Sequence, residues 1–314
     1  MKVPDLAVHL PKERALMNLI APKVDEIHEQ HLARREKRGL WQPIDLIPVD
    51  ALPADISPEL KASLVLNLLT EEGLPYFLAL LVKHLGEGSA IARWYRTWTA
   101  EEDRHGAALT RYLDIALSHE ERRAVEVMQH GYLEQGFWPD WGGSPVRLIC
   151  YVVLQEKATQ YSHGNIAGYA RSQDETLQNM MAKISFEEKL HHGVYLGFLK
   201  ALYEHDASTV ITSLYAATKT FSMPGENMPE FDGLAIIQRK MNIFGPRELA
   251  NIISKVWDDL SISQATRLTP QAEAARDALS KHKNMLYRLA DRYEGKGSET
   301  VTVSFLGDET ITFQ

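Results

Sequence analysis

Cysteine is almost missing from this chain. Of 314 residues only Cys150 carries a thiol, inside the apolar run RLICYVVL. An internal disulfide and a cysteine-built zinc or iron–sulfur site are therefore excluded. A basic excess is missing too: 42 acidic residues face 34 basic ones, for a formal charge of −8. That balance argues against a general nucleic-acid binder, which needs clustered positive charge for phosphates. Long apolar runs are also lacking. The longest, around PYFLALLV, is far shorter than the roughly 20 residues that span a bilayer. The opening MKVPDLAVHLPKERALMNLI has neither an apolar stretch nor a small-residue cleavage site, so no export signal is read. The expectation is a soluble, cytoplasmic, globular protein, with 45% hydrophobic residues available for a core.

What is present reads mainly as helix. Apolar residues recur at helical spacing over about 57–84, 89–117, 144–170 and 174–203, with a more polar segment at 119–136. Ser57-Pro58 is a helix start, and Gly86 or Gly88 a stop. Gly73 and Pro75 fall inside the first segment and predict a local break there. Further amphipathic stretches occupy about 207–221, 231–243, 246–260 and 270–293, with MPGENMP at 223–229 as a turn-rich interruption. The end changes character: TVTVSF and TITF flank a Gly-Asp turn and predict a small β-hairpin. No linker divides the chain, so residues 1–314 are expected to form a single domain.

Two of the long segments carry the same short pattern. EEDRHG at 101–106 and EEKLHH at 187–192 each place a Glu three residues before a His, Glu102 with His105 and Glu188 with His191. On a helix such residues share one face, so a carboxylate and an imidazole can reach one cation together. A single pair means little, but this one belongs to an internal repeat. Glu71 precedes Glu102 by 31 residues and Glu156 precedes Glu188 by 32. Each half is a helix with one Glu followed by a helix with Glu-x-x-His. Two such halves predict a ferritin-like four-helix bundle with four Glu and two His pointing inward, the arrangement known for di-iron and di-manganese carboxylate sites. The apolar neighbours agree, because Val152 flanks Glu156, Ile184 flanks Glu188 and Trp98 flanks Glu102 at helical spacing. Four buried carboxylates demand compensation, and two divalent ions supply it. Oxygen-rich ligation with one imidazole per metal suits iron or manganese better than zinc.

The same residues resemble the soluble acyl-[acyl-carrier-protein] desaturases. TEEGLP at 70–75 is similar to that family's TEEALP, EEDRHG to EENRHG, QEKATQYSHGN at 155–165 to QERATFISHGN, and EEKLHH to DEKRHE. LWQPIDLIP at 40–48 is similar to CWQPQDFLP, and SMP, FDGLAIIQRKMNIF and RLTPQAEAARD also fit family segments. The resemblance implies an all-α, ferritin-like bundle with additional helices. It implies two iron ions per chain and dioxygen as co-substrate. Glu71 and Glu156 then resemble terminal carboxylate ligands, Glu102 and Glu188 bridging ones, and His105 and His191 the imidazole ligands. Thr159 resembles a threonine whose hydroxyl faces the oxygen-binding side, unless that hydroxyl bonds back to its own helix. Trp41 resembles a tryptophan on an electron-entry route, and Glu187 an outer partner of a ligand histidine. Two departures stand out: Glu187 is one methylene longer than the family's Asp, and His192 replaces an acidic residue.

The implied activity is desaturation of an acyl chain carried on acyl carrier protein, with electrons from a ferredoxin-type donor and a homodimeric assembly. An apolar slot for the acyl chain is expected from Leu, Trp and Tyr residues on segments 57–84 and 89–117. Carrier proteins are acidic, so a local basic patch is required. Arg34, Arg35, Lys37 and Arg38 supply the candidate, with Lys61, Arg93 and Arg96 as possible neighbours. The competing readings are a related di-iron hydroxylase or oxidase, a ferritin-like iron store, and a metal-free binding module.

Overall fold

The computed structural model describes residues 11–51, 55–137, 141, 143–226, 230–295, 301–306 and 309–313. Four long helices form the centre: α4 (Pro58–Glu71), α6 (Ala90–Ala116), α8 (Pro145–Ala170) and α9 (Glu175–His205). Each begins on a polar side chain that accepts from the first turn. Ser57 accepts from Leu60 N, Ser89 from Ala92 N, Ser144 from Arg147 N and Asp174 from Leu177 N. Each such cap is worth about 1 kcal/mol. The helices α8 and α9 pack against each other, α4 lies on α6 and α8, and α6 touches α9.

The segment expected as one helix over 57–84 is two. After α4 the chain turns through Glu72 and Gly73, and α5 (Leu74–Leu85) restarts with Pro75 in its first turn. Gly73 is required by close approach. A side chain there would run into the Tyr132 hydroxyl and lie 3.0 Å from Pro224 Cβ. By length and composition Pro58–Leu85 could cross a membrane, yet more than half of its apolar window is buried inside the fold.

Two sets of helices flank the bundle on opposite sides. On the α6/α9 side lie α2 (Ala21–Arg38) and α3 (Pro43–Leu46), with α1 (Pro11–Leu19) reaching α8 and α9. On the α4/α8 side lie α11 (Phe231–Lys240), packed on α4, and α12 (Pro246–Asp259), packed on α8. The long α13 (Pro270–Gly295) covers α12 and α10 (Ala207–Lys219), while α7 (His119–Gln135) touches α4. The hairpin is present as β1 (Val301–Phe305) antiparallel to β2 (Glu309–Phe313), with Val303 opposite Ile311. Its expected Gly-Asp turn lies outside the described residues, as do Asn227, Met228 and Pro229 of the MPGENMP break.

The sequence reading assigned no elements before Ser57, where the structure has α1, α2 and α3. The reason is physical. The inward residues of α2 are Val24, His28 and His31, so its buried face is largely polar and hydrophobic periodicity does not reveal it.

Candidate metal centre

The six repeat residues converge from the four long helices. Glu71, Glu102, His105 and Glu188 present ligand atoms within 4.8 Å of one another, and so do Glu102, Glu156, Glu188 and His191. All six are buried. Glu102 and Glu188 belong to both groups, which gives the centre two halves joined by two shared carboxylates.

Both histidines turn Nδ1 inward. His105 Nδ1 lies 3.0 Å from Glu102 Oε2 and 3.1 Å from Glu188 Oε1. His191 Nδ1 lies 2.7 Å from Glu102 Oε1 and 3.5 Å from Glu156 Oε2. Glu102 Oε1, both Glu156 oxygens, Glu188 Oε2 and His191 Nδ1 are buried without hydrogen-bond partners. Buried polar atoms are rarely left so. Several of them aimed into one space, in an oxygen-and-nitrogen donor set, fit cations between them. Burial and the neighbouring carboxylates push Glu71 up to about 7, the His163 bond only partly offsetting them. Burial also raises Glu156 well above its usual range. Divalent ions among these carboxylates would invert both directions.

The outward nitrogens are held by a crossed pair of carboxylates. His191 Nε2 lies 2.8 Å from Glu101 Oε2, and His105 Nε2 lies 3.1 Å from Glu187 Oε2. In each Glu-Glu-x-x-His segment the second Glu faces the centre, while the first supports the histidine of the other half. Burial raises the Glu187 carboxyl, but His105 and Arg104 outweigh it and hold it at about 2. Glu101 is held lower still by bonds from His191 and His31 against the same burial cost. Such outer partners fix imidazole orientation and raise ligand basicity.

Around these carboxylates the α6/α9 side is dense with charge. The Arg104 guanidinium lies 3.2 Å from Glu187 Oε2 and 5.5 Å from the Trp41 ring centre. Trp41 stacks on His105 at 6.4 Å between ring centres, with planes 11° apart. Of the basic run, Arg34, Lys37 and Arg38 are exposed, but Arg35 turns inward and pairs with Glu101 at 3.0 Å. Lys61 is engaged by Glu121 at 2.8 Å and Arg93 by Asp25.

The α4/α8 side is different. A cavity of about 340 Å³ reaches Glu71 and His163 and is lined by Leu66, Thr159, Phe221, Phe231 and Leu249 among others. At its outer end the Arg239 guanidinium sits 5.1 Å over the ring of Tyr293, a half-exposed side chain. The slot expected from the first two segments is thus built differently. Helix α4 contributes, but the other walls come from α8, the 221–226 segment and α11–α13. Helix α6 contributes no lining residue to this cavity, and its Trp98 and Glu102 border a separate void of about 20 Å³. Thr159 faces the large cavity while its hydroxyl donates back to Glu156 O at 3.1 Å.

His192 has a structural account. Its Nδ1 pairs with the Val153 carbonyl at 3.0 Å, tying α9 to α8, and burial lowers it to about 4, so it is neutral there. Three residues escaped the sequence reading. Glu101 was signalled by the doubled Glu in both repeats. His163 was signalled by falling seven residues, two helical turns, after Glu156. His31 had no comparable signal.

Comparison with known proteins identifies the family and the fold. A family model described as fatty acid desaturase matches residues 12–306. The acyl-[acyl-carrier-protein] desaturase assigned as DesA1 in Mycobacterium tuberculosis is 28% identical, over 89% of this chain and 87% of that protein. A chloroplastic stearoyl-[acyl-carrier-protein] 9-desaturase of Ricinus communis is 27% identical, over 88% of this chain and 76% of its own length. The crystal structure of the assigned acyl-ACP desaturase DesA2 from Mycobacterium tuberculosis shares the fold. Its TM-score is 0.61 at 18% identity, and the match covers 83% of this chain and 99% of that one.

Proposed function

The chain belongs to the fatty acid desaturase family whose model it matches, and from that premise we propose that it introduces a double bond into an acyl chain carried on acyl carrier protein. The observation that carries this reading is an apolar cavity ending at a centre of two carboxylate-sharing halves. Its relatives, acyl-[acyl-carrier-protein] desaturases among them, support the same reaction class.

Glu71, Glu102, His105 and Glu188 would hold one iron ion, and Glu102, Glu156, Glu188 and His191 the other. When bound, the pair would supply the capacity to reduce dioxygen and withdraw hydrogen from unactivated methylenes. The protein does the rest. The walls around Leu66, Phe231 and Leu249 would hold the acyl chain and exclude water from the reacting carbons. Glu101 and Glu187 keep each imidazole turned with Nδ1 inward. Trp41, stacked on His105, is the proposed entry for electrons from a ferredoxin-type donor. Arg34, Lys37 and Arg38 are the proposed contacts for an acidic carrier, and the resemblance implies that two copies assemble.

Mass spectrometry of products tests this directly. The protein, a ferredoxin with its reductase, and a panel of acyl carriers should yield an alkene two hydrogens lighter than its substrate. An alcohol would reassign the chain to the hydroxylases, and an unchanged acyl panel would contradict the proposal.

A further inference from the structure

The polar residues on the cavity wall are joined in one direction. Gln238 on α11 reaches α4, where its Nε2 lies 3.3 Å from the Ser63 backbone carbonyl and 3.0 Å from Asn67 Oδ1. A backbone carbonyl can only accept. The Gln238 atom facing it is therefore the amide nitrogen, and the Asn67 atom facing that nitrogen is the oxygen. The Ser162 hydroxyl donates to the same oxygen at 2.9 Å. Asn67 is thereby fixed with its own amide nitrogen toward His163 Nδ1, 2.9 Å away. That nitrogen donates, so Nδ1 accepts, and the ring proton sits on Nε2. Nε2 lies 3.0 Å from Glu71 Oε1. Gln238, Asn67, Ser162 and His163 are all buried, and all line the cavity.

We infer that Gln238, Asn67 and His163 form a positioning relay that holds Glu71 through a hydrogen bond donated to its Oε1. The relay rests on the reading of Glu71 as a metal ligand given above. It also decides a question that distance alone leaves open, since His163 Nε2 is 3.6 Å from Glu188 Oε1 and so borders the centre. A seventh ligand would need a bare lone pair on Nε2 and hence a proton on Nδ1. That proton would face the Asn67 N–H, and relief would require Asn67 to turn and Gln238 to lose its acceptor. His163 is a donor to a ligand, not a ligand. Because Gln238 and Asn67 are themselves part of the wall, the surface against which the acyl chain rests is hydrogen-bonded through to one ligand of the centre.

Anaerobic titration with Co(II), followed by calorimetry and by ligand-field absorption, reads this without turnover. Wild-type protein should take up two ions per chain. Asn67→Ala and Gln238→Leu should weaken one of the two sites by about 10–100-fold, the usual cost of losing an outer partner, and shift its absorption while leaving the other site unchanged. Ser162→Ala removes a bond to Asn67 without altering its direction, so its effect should be smaller than either. His163→Gln, which can still donate to Glu71, should stay closer to wild type than His163→Ala. Gln238→Leu conserves volume and keeps the test open if Asn67→Ala does not fold, which apo-protein melting will show. Unchanged affinity at both sites in Asn67→Ala and Gln238→Leu would overturn the relay while leaving the centre intact. Equal loss of a whole ion in His163→Gln and His163→Ala would also overturn it, by making His163 a ligand. Wild-type protein that takes up no cobalt would overturn the reading of the centre and the relay together.

Discussion

The two flanks of the bundle treat the same centre in opposite ways. On the α6/α9 flank each ligand histidine is backed by a carboxylate, and each carboxylate by an arginine: Glu101 by Arg35, with His31 as a further partner, and Glu187 by Arg104. On the α4/α8 flank Glu71 is backed by no arginine or carboxylate but by an amide–imidazole chain on the wall of an apolar cavity. Charge is concentrated around Trp41, the residue proposed above as the entry for electrons. It is sparse along the apolar cavity proposed for the acyl chain, where Glu71, Glu226 and Arg239 are the charged lining residues, because an uncompensated charge beside an alkyl chain would be costly.

The largest expected effect comes from breaking what both flanks share. Glu188→Ala or Glu102→Ala removes a carboxylate common to both groups, and should abolish binding of both ions and all turnover. That loss exceeds the roughly 10–100-fold expected for any outer partner. Metal content per chain after anaerobic loading checks it. Glu101→Ala and Glu187→Ala come next. Each should lower metal affinity by about 10–100-fold, but at opposite halves, because Glu101 backs His191 and Glu187 backs His105. Calorimetric titration that finds both variants weakening the same site would break the crossed arrangement.

The basic run sharpens the comparison further. Arg34→Glu with Arg38→Glu should weaken carrier-protein binding several-fold at low salt, with the difference fading as the Debye length falls to about 8 Å near physiological ionic strength. Arg35→Ala should instead act through Glu101 on metal affinity, since Arg35 faces inward. Binding assays at two salt concentrations separate these effects. The smallest effect is expected at an ion pair away from the centre. Glu121 caps α7 with Ser118 and bonds Lys61. Burial opposes its charge, but Lys61 and Ser118 outweigh burial and hold the carboxyl below its ordinary 4.5. Its contribution is therefore complete above that pH and lost as pH falls through the lower folded value. Glu121→Ala should cost about 1 kcal/mol of stability, read by denaturant unfolding at neutral and acid pH, with metal affinity unchanged.

Sequence legibility followed the same division. The six candidate ligands could be read because a repeat at 31 and 32 residues is a property of the chain itself, and the structure brings all six together. The four central segments were legible because each buries an apolar face and starts on a cap. What could not be read depended on long-range placement. Arg35 looks like its neighbours Arg34 and Arg38 in the sequence, and only the packing of α2 on α6 turns it toward Glu101. Helix α2 itself was silent because its inner face carries His28 and His31 in place of leucines. The cavity was misplaced because its outer walls come from α11–α13, which lie 160 or more residues after α4 in the chain yet fold back against its bundle. Gln238 therefore reaches Asn67 across 171 residues, a pairing that no local pattern announces.

The central claim is that duplicated half-sites hold a pair of metal ions between a charged flank and an apolar one. Anaerobic titration of the purified protein with Fe(II), read as bound iron per chain, tests it most directly. Wild-type protein should saturate at two ions per chain, and Glu188→Ala should take up none. Saturation at one ion, uptake of many, or retention of both ions by Glu188→Ala would contradict it.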